Sequence, residues 1–422
     1  HAYVNSSQTI YNEISVLPPA HHLKYKDGEI KIEQYWHFPE ESTELSFHEA
    51  QTQFKVLLEN SVRKQMVADV KVGAFLSGGL DSGTLVALAS DTQKNLSTLG
   101  FAYIGDWNEM PQAREIAEKY ETDHHEVFLN EEEISKILEE IIPQLDEPLA
   151  DTAIPATYMI CKKARENMTV VITGNAGDEL FGGYNWYKKE WEILNQRNQK
   201  KSNLTFLKVG SKLSAVLNQK ELNERFQKKI LVTKHRDIVK YQQENVHSFF
   251  STEEIRSLGI KNKNFEHCYS FPLDPNNLNT CLKMDLTNIL PGDYMVKDDR
   301  LAMLNSIELR TPFLDKDLVE FCTKLPSGMK VDGTQTKKIL RETFGEKLTP
   351  NILSKKKQGF GAPVDQWLQM PEMQKLTNKY LRDKSSKVFE ILDYKEVQKF
   401  LNYSYKHWVL LVLGIWINSK EV

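Results

Sequence analysis

The sequence predicts an α/β fold: a parallel sheet with helices on both faces, followed by a mostly helical C-terminal part. Three observations predict it. From Val70 to about Tyr184, short apolar runs alternate with segments of helical spacing. Two glycine-rich turns, at 77–82 and 173–184, each follow such a run and open such a segment. From 280 to 422 the spacing is helical almost throughout.

The elements follow in chain order. Residues 1–38 stand apart, with alternating runs at 22–25 and 29–35 around Lys26-Asp27-Gly28, a hairpin signal. An acidic linker at 39–43 leads into a helical pattern from about Phe47 to Met66, so 39–68 reads as linker and helix. Strands are expected at 70–76, 97–103, 123–128 and 169–173, and helices at 82–90, 109–120, 131–142 and 152–166, which makes 69–189 the α/β core. Residues 190–280 are polar and rich in Lys, Gln and Asn, and are expected to form a helical cap. Residues 281–422 are expected to complete the domain with helices, apart from a loop dense in Lys and Gly near 354–363.

The chain has 422 residues, 40% apolar and 27% charged, enough for a sizeable core in two or three structural units. A net charge of −4 gives no reason to expect nucleic acid or an anionic membrane as partner. The most apolar run, 408–416, is too short to span a bilayer and reads as a buried C-terminal helix. Cys161, Cys268, Cys281 and Cys322 form no Cys-x-x-Cys pair, so zinc and a disulfide framework are unsupported and a reducing cytoplasm is expected. The first residue is His1, which points to a fragment of a longer chain.

The first glycine turn is Ser77-Gly78-Gly79-Leu80-Asp81-Ser82. Paired glycines let backbone approach a ligand closely, and the N–H groups at a helix start favour an anion. Asp81 would repel a phosphate unless a divalent cation lay between them, so the expected ligand is a Mg²⁺-bound polyphosphate. No Walker A sequence is present, which excludes the commoner nucleotide loop. The second turn, Thr173-Gly174-Asn175-Ala176-Gly177-Asp178, would lie on the same carboxyl edge of the sheet. Asp178 would join Asp81 on the metal, while Thr173 and Gly174 line the nucleotide. For each loop the plainer alternative is an ordinary capped strand–helix turn. His124 and His125 are adjacent on a strand, so they face opposite ways and suit a structural role better than a zinc site.

Several stretches in order carry a resemblance: 77–82; His124-His125-Glu126; Asp146-Glu147-Pro148-Leu149-Ala150-Asp151; 174–184; Lys297-Asp298-Asp299-Arg300; 306–315; Lys337-Lys338-Ile339-Leu340-Arg341; and Lys357-Gln358-Gly359-Phe360-Gly361. On these the chain resembles the synthetase domain of glutamine-dependent asparagine synthetases. The likeness covers nearly the whole chain and is weakest at 190–270. It implies a five-stranded-type parallel sheet of the ATP-pyrophosphatase, adenine nucleotide α-hydrolase-like kind, with ATP and Mg²⁺ as cofactors. It also implies a reaction in which a carboxylate, L-aspartate by expectation, forms an acyl-adenylate that ammonia converts to an amide.

By the same resemblance, Phe75, Ser77, Gly78, Gly79, Asp81, Ser82, Tyr103, Thr173 and Gly174 would bind the nucleotide, and Asp81, Asp178 and Glu109 the metal. Lys337, Asp178, Asn175 and Lys357 would serve catalysis, Lys337 at the reacting phosphoryl centre and Lys357 closing over the phosphates. A plain structural role is the alternative for Phe75, Tyr103 and Glu109, and a solvated surface charge for the two lysines. Asp299 and Arg300, with Glu308 and Arg310, are expected as buried ion pairs holding the site.

Two departures from the family pattern stand out. Asn175 occupies a position where the family usually has Asp or Glu, the acid taken there to receive the proton of the attacking ammonia, and an amide cannot accept it. Water or Glu179 would then take that role, or the reaction differs, and Asn175→Asp is expected to preserve or raise ammonia-dependent activity. The family's glutaminase also uses an N-terminal cysteine, whereas no cysteine precedes Cys161 here. Residues 1–38 resemble the tail of that class II amidotransferase domain, so the expected partner is a missing glutaminase domain or subunit, with no glutaminase activity in this chain alone. A homodimer is left open. The rival expectations are an adenylating amide-former acting on another carboxylate (of the β-lactam synthetase, macrocyclase or surface-sugar amidating type), and a weakly active scaffold of the same fold.

Overall fold

The computed structural model describes residues 2–4, 8–41, 44–103, 109–196, 207–212, 226, 229–231, 233–235, 237–246, 248–260, 271–354 and 362–420. Asp27 and Gly28 both take positive φ, 52° and 87°, as a two-residue hairpin turn requires. They join β1 (His21–Lys26) to β2 (Glu29–Gln34) in a separate antiparallel pair with Lys26 opposite Glu29. The helix expected next is α1 (Phe47–Gln65), whose start is fixed by a capping box between Ser46 and Glu49. Its Ala50, Phe54, Leu58 and Val62 recur every fourth residue and are all buried.

The alternating region folds as β3 (Val72–Phe75), α2 (Leu80–Ser90), β4 (Ser97–Tyr103), α3 (Met110–Lys119), β5 (Asp123–Leu129), α4 (Ile134–Ile141), α5 (Ile154–Ala164) and β6 (Val170–Ile172). These match the expected strands and helices to within a few residues at their ends. The order across the sheet is β5-β4-β3-β6-β7, with every neighbouring pair parallel. The last strand, β7 (Glu308–Arg310), comes from the stretch read as helical. Three residues with one apolar side chain carry no strand signal; their pairing with β6 makes the strand.

Side chains on β6 sort the two faces. Val170 and Ile172 join Val72, Ala74 and the buried stripe of α1 on one side, while Val171 joins Leu99, Phe101 and Leu129 on the other. The C-terminal helix Ser404–Ser419 belongs to the second side and is buried, as its apolar run predicts. Trp408 Nε1 donates to the Ala150 carbonyl at 2.9 Å, and Trp416 Nε1 to that of Leu145 at 3.0 Å. Among the described residues no helix is long and apolar enough to cross a membrane. Cys161, Cys281 and Cys322 are buried free thiols; Cys268 lies outside the described residues.

The strand order also locates a crevice. From β3 the chain runs outward to β4 and β5, then returns to place β6 on the other flank of β3. The loops after β3 and β6 therefore diverge, and ligands of open α/β sheets bind at such a switch point. Those loops are the two glycine turns.

Candidate active site

Gly78 adopts φ +71°, and a Cβ there would approach the Glu109 carbonyl to 2.5 Å, so only glycine fits this turn. Within it, the Ser77 N–H donates to Ser82 Oγ at 3.2 Å, and the two serine hydroxyls lie 3.0 Å apart. Gly79 is the first cap of α2 and has no side-chain partner for the helix N–H groups, while Asp81 sits in the first turn. The Glu109 backbone packs against Gly78 at the start of α3.

The second turn lies directly on the first. A Cβ on Gly174 would sit 3.1 Å from Asp81 Cβ, and one on Gly177 would sit 2.8 Å from Asp81 Cγ. Thr173 N donates to the Arg310 carbonyl at 2.8 Å, which extends the β6–β7 pairing and anchors the turn. Asn175 N donates to Thr173 Oγ1 at 3.3 Å. Ala176 takes φ +68°, a left-handed strain worth about 1 kcal/mol that opens the short helix α6 (Gly177–Phe181) carrying Asp178.

Lys337 closes the site from a distant part of the chain. Its N–H donates to the Phe181 carbonyl at 3.1 Å, and its φ of +54° turns the side chain inward at the start of the helix Lys338–Phe344. The ammonium pairs with Asp81 Oδ2 and lies 2.7 Å from Asp178 Oδ1, with a side chain only 4% exposed. Two carboxylates thus converge on one cation position at the crevice. That donor set suits a divalent cation whose remaining ligands are phosphate and water oxygens. Among the described residues no group of three or more His, Cys, Asp and Glu gathers as a protein-only metal centre.

The other expected residues fall as follows. Phe75, ending β3, is half-buried against the second core. Tyr103 is 6% exposed, with its ring edge-on to Phe101 at 5.2 Å and to Trp367 at 5.5 Å. Burial pushes its phenol well up, and the Asp151 charge adds to this. Lys357 and most of its loop lie outside the described residues, as does much of the 190–270 region. Glu179 is fully buried and accepts the Tyr184 hydroxyl at 2.8 Å; burial and the neighbouring Asp178 raise it to about 8. It is therefore protonated at neutral pH and is no free base. His124 is hydrogen-bonded to Thr98 Oγ1 at 2.9 Å, a structural placement.

The expected buried ion pairs need correction. Arg300 pairs with Asp146 at 2.5 Å, with side chains 49% and 65% exposed, and Asp299 is exposed. Arg310 pairs with Glu308 at 2.6 Å, and its Nη1 donates to the Gln65 and Val67 carbonyls at 2.7 Å each, capping α1. The charges that are buried are their neighbours. Pro291 has no N–H to continue a helix, and Leu290–Tyr294 widens into a π turn between the helices Leu278–Thr287 and Met295–Leu304. Beyond it Lys297 Nζ lies 2.6 Å from Asp151 Oδ2 and 3.8 Å from Asp298 Oδ1. Burial alone would lower Lys297, but Asp151, Asp298 and Asp293 together hold it raised. Burial, then the Asp151 charge, raises Asp293 well above its ordinary value. Asp298 accepts a hydrogen bond from Asn175 Nδ2. Sequence reasoning singled out Asp299 and Arg300 and passed over Lys297 and Asp298, because four consecutive charges carry no apolar spacing that says which side of the helix is buried. The proline just upstream was the available signal. Arg341 was also passed over. It donates to the Thr336 carbonyl at 3.0 Å and the Leu353 carbonyl at 2.9 Å, close enough to Asp81 to feel its charge.

Comparison with known proteins agrees with this architecture. The asparagine synthase family model matches residues 53–418. A provisionally named glutamine-hydrolyzing asparagine synthetase of Mycobacterium tuberculosis is 32% identical over 379 residues, covering 85% of this chain and 56% of its own length. Glutamine-hydrolyzing asparagine synthetase 1 of Bacillus subtilis is 27% identical over 401 residues, covering 92% of this chain and 62% of its own length. The chain therefore spans roughly three-fifths of the curated relatives it matches. With residues 53–418 matched, the five-stranded parallel sheet in place and the two glycine loops meeting on Lys337, the chain belongs to the asparagine synthase family.

Proposed function

We propose that this chain is the synthetase part of an ATP-dependent amide ligase that forms asparagine from aspartate and ammonia through an aspartyl-adenylate, releasing AMP and pyrophosphate. The observation that carries this reading is the convergence of Asp81, Asp178 and Lys337 beside the 77–82 turn. A diphosphate leaves readily only when its growing charge is neutralised. The turn's N–H groups, the Ser77 and Ser82 hydroxyls and the Lys337 ammonium are the groups positioned to do that. Where Mg²⁺ is bound, Asp81 and Asp178 would hold it, and it supplies further neutralisation of the leaving group. By the same reading Thr173 and Gly174 would line the nucleotide, and Phe75 would contact the adenosine. In a longer chain or with a partner subunit, a glutaminase would supply the ammonia. The buried free thiols Cys161, Cys281 and Cys322 suit a reducing cytoplasm.

Asn175 favours a second reading, in which the same chemistry acts on a different carboxylate. ATP–pyrophosphate exchange with a panel of carboxylates separates the two. Exchange that depends on L-aspartate supports the first reading. Exchange driven by another acid, with none for aspartate, replaces it with the second.

A further inference from the structure

We propose that Asp298 is the proton acceptor for the attacking ammonia in this chain, doing from the neighbouring helix what the amide at position 175 cannot. The inference rests on the amide-forming reading above and deepens it.

Three features of the fold lead there. Asn175 stands between Gly174 and Gly177, both of which pack on Asp81, in the turn that forms one side of the candidate site. An amide has no site that takes up a proton at neutral pH. Its Nδ2 instead donates to Asp298 Oδ2, which brings a carboxylate to the same place from the helix Met295–Leu304. The hydrogen bond orients that carboxylate and leaves its other lone pairs free of Asn175.

The surroundings suit a base. Asp298 is 9% exposed, and the groups facing it are Lys297, Asp151, Asp293 through Asp151, and the buried Cys161 thiol. Burial raises the Asp298 carboxyl above its ordinary value, while Lys297 and the Asn175 hydrogen bond oppose that rise. A carboxylate of raised basicity, kept ionised by an adjacent ammonium, is the usual form of a general base working near neutral pH. The π turn Leu290–Tyr294 immediately precedes this helix, and π turns inside helices are frequent at functional sites.

The nitrogen lone pair of ammonia forms a bond to the acyl carbon. The bond from that carbon to the AMP oxygen breaks, and its electron pair leaves with AMP. The extra proton on nitrogen passes to an Asp298 oxygen and then to solvent, leaving the neutral amide.

The test uses the full chain and two assays, carboxylate-dependent ATP–pyrophosphate exchange and ammonia-dependent amide formation. Asp298→Asn keeps an oxygen to accept from Asn175 Nδ2 and removes only the capacity to take a proton. The expected result is exchange within about threefold of wild type and amide formation down at least about 100-fold. The double variant Asn175→Asp/Asp298→Asn reverses donor and acceptor across the same hydrogen bond, and is expected to regain at least tenfold of the lost amide formation. If Asp298→Asn does not fold, the double variant carries the test, with exchange and amide formation both expected. Amide formation within threefold of wild type in Asp298→Asn overturns the proposal. So does an equal fall in both assays, which would mark Asp298 as merely structural. Wild-type protein with no carboxylate-dependent exchange removes the amide-forming reading itself, and this proposal with it.

Discussion

Asp178 Oδ1 lies 2.7 Å from the Lys337 ammonium, although the two residues come from distant parts of the chain. Asp81 shares the same ammonium. Lys337→Met would leave two carboxylates buried without their cation, which costs about 3 kcal/mol of stability. We expect exchange to fall roughly 100-fold. We also expect Mg²⁺ to raise the Tm of Lys337→Met more than that of wild type, because the ion takes the vacated position. Thermal denaturation with and without Mg²⁺ checks this, and an equal response in both proteins contradicts it.

Gly183 tests how tightly that arrangement is packed. A Cβ there would collide with Asp178 Oδ1 and Lys337 Cε, whereas one on Gly328 meets nothing within 4 Å. Gly183→Ala is expected to cost about 1–3 kcal/mol and to lower exchange. Gly328→Ala should stay within about 0.5 kcal/mol of wild type. Equal denaturation midpoints for the two variants would show that the close approach is absent.

The four strands of the alternating region and the glycine loops were legible because each is a local pattern: an apolar run, then a turn that needs glycine. The fifth strand was not, since Glu308-Leu309-Arg310 becomes a strand only by pairing with β6. Asp81 and Asp178 were readable from their loops, but Lys337 was reached by resemblance alone. Nothing local announces its positive φ or its two carboxylate partners. The Asp151–Lys297–Asp298 group stayed hidden for a related reason. The sequence reading put burial on Asp299 and Arg300, yet Lys297 and Asp298 are the buried ones, because a helix turns successive residues to different sides.

Asn175→Asp is now expected to behave differently from what the sequence suggested. The new carboxylate would face Asp298, and two like charges in a buried site cannot both ionise readily. The pair would hold one proton to higher pH, with Lys297 limiting the rise and Asp151 adding to it. The acid limb of the pH–rate profile for amide formation should move up by about one unit or more, with reduced activity at pH 7. An unchanged profile would argue against the contact.

His407 gives the C-terminal helix a pH dependence. It is 3% exposed and hydrogen-bonded to Thr377 Oγ1 at 2.9 Å. Burial, then the Arg382 charge, lowers it from 6.5 to about 4. The unfolded chain therefore takes up a proton at a higher pH than the folded one, and stability falls as pH drops from about 6.5 towards 4. The loss is about 3 kcal/mol at full extent. In His407→Gln the curve of Tm against pH should be flatter across that window; parallel curves would contradict the assignment.

In the proposed reaction the two glycine loops, packed together at Asp81, hold the diphosphate that ATP gives up. Analysis of the nucleotide products formed with carboxylate and ammonia tests it most directly. AMP and pyrophosphate are expected in equal amounts, with both lost in Asp81→Asn. Formation of ADP and orthophosphate, or full turnover in Asp81→Asn, would contradict it.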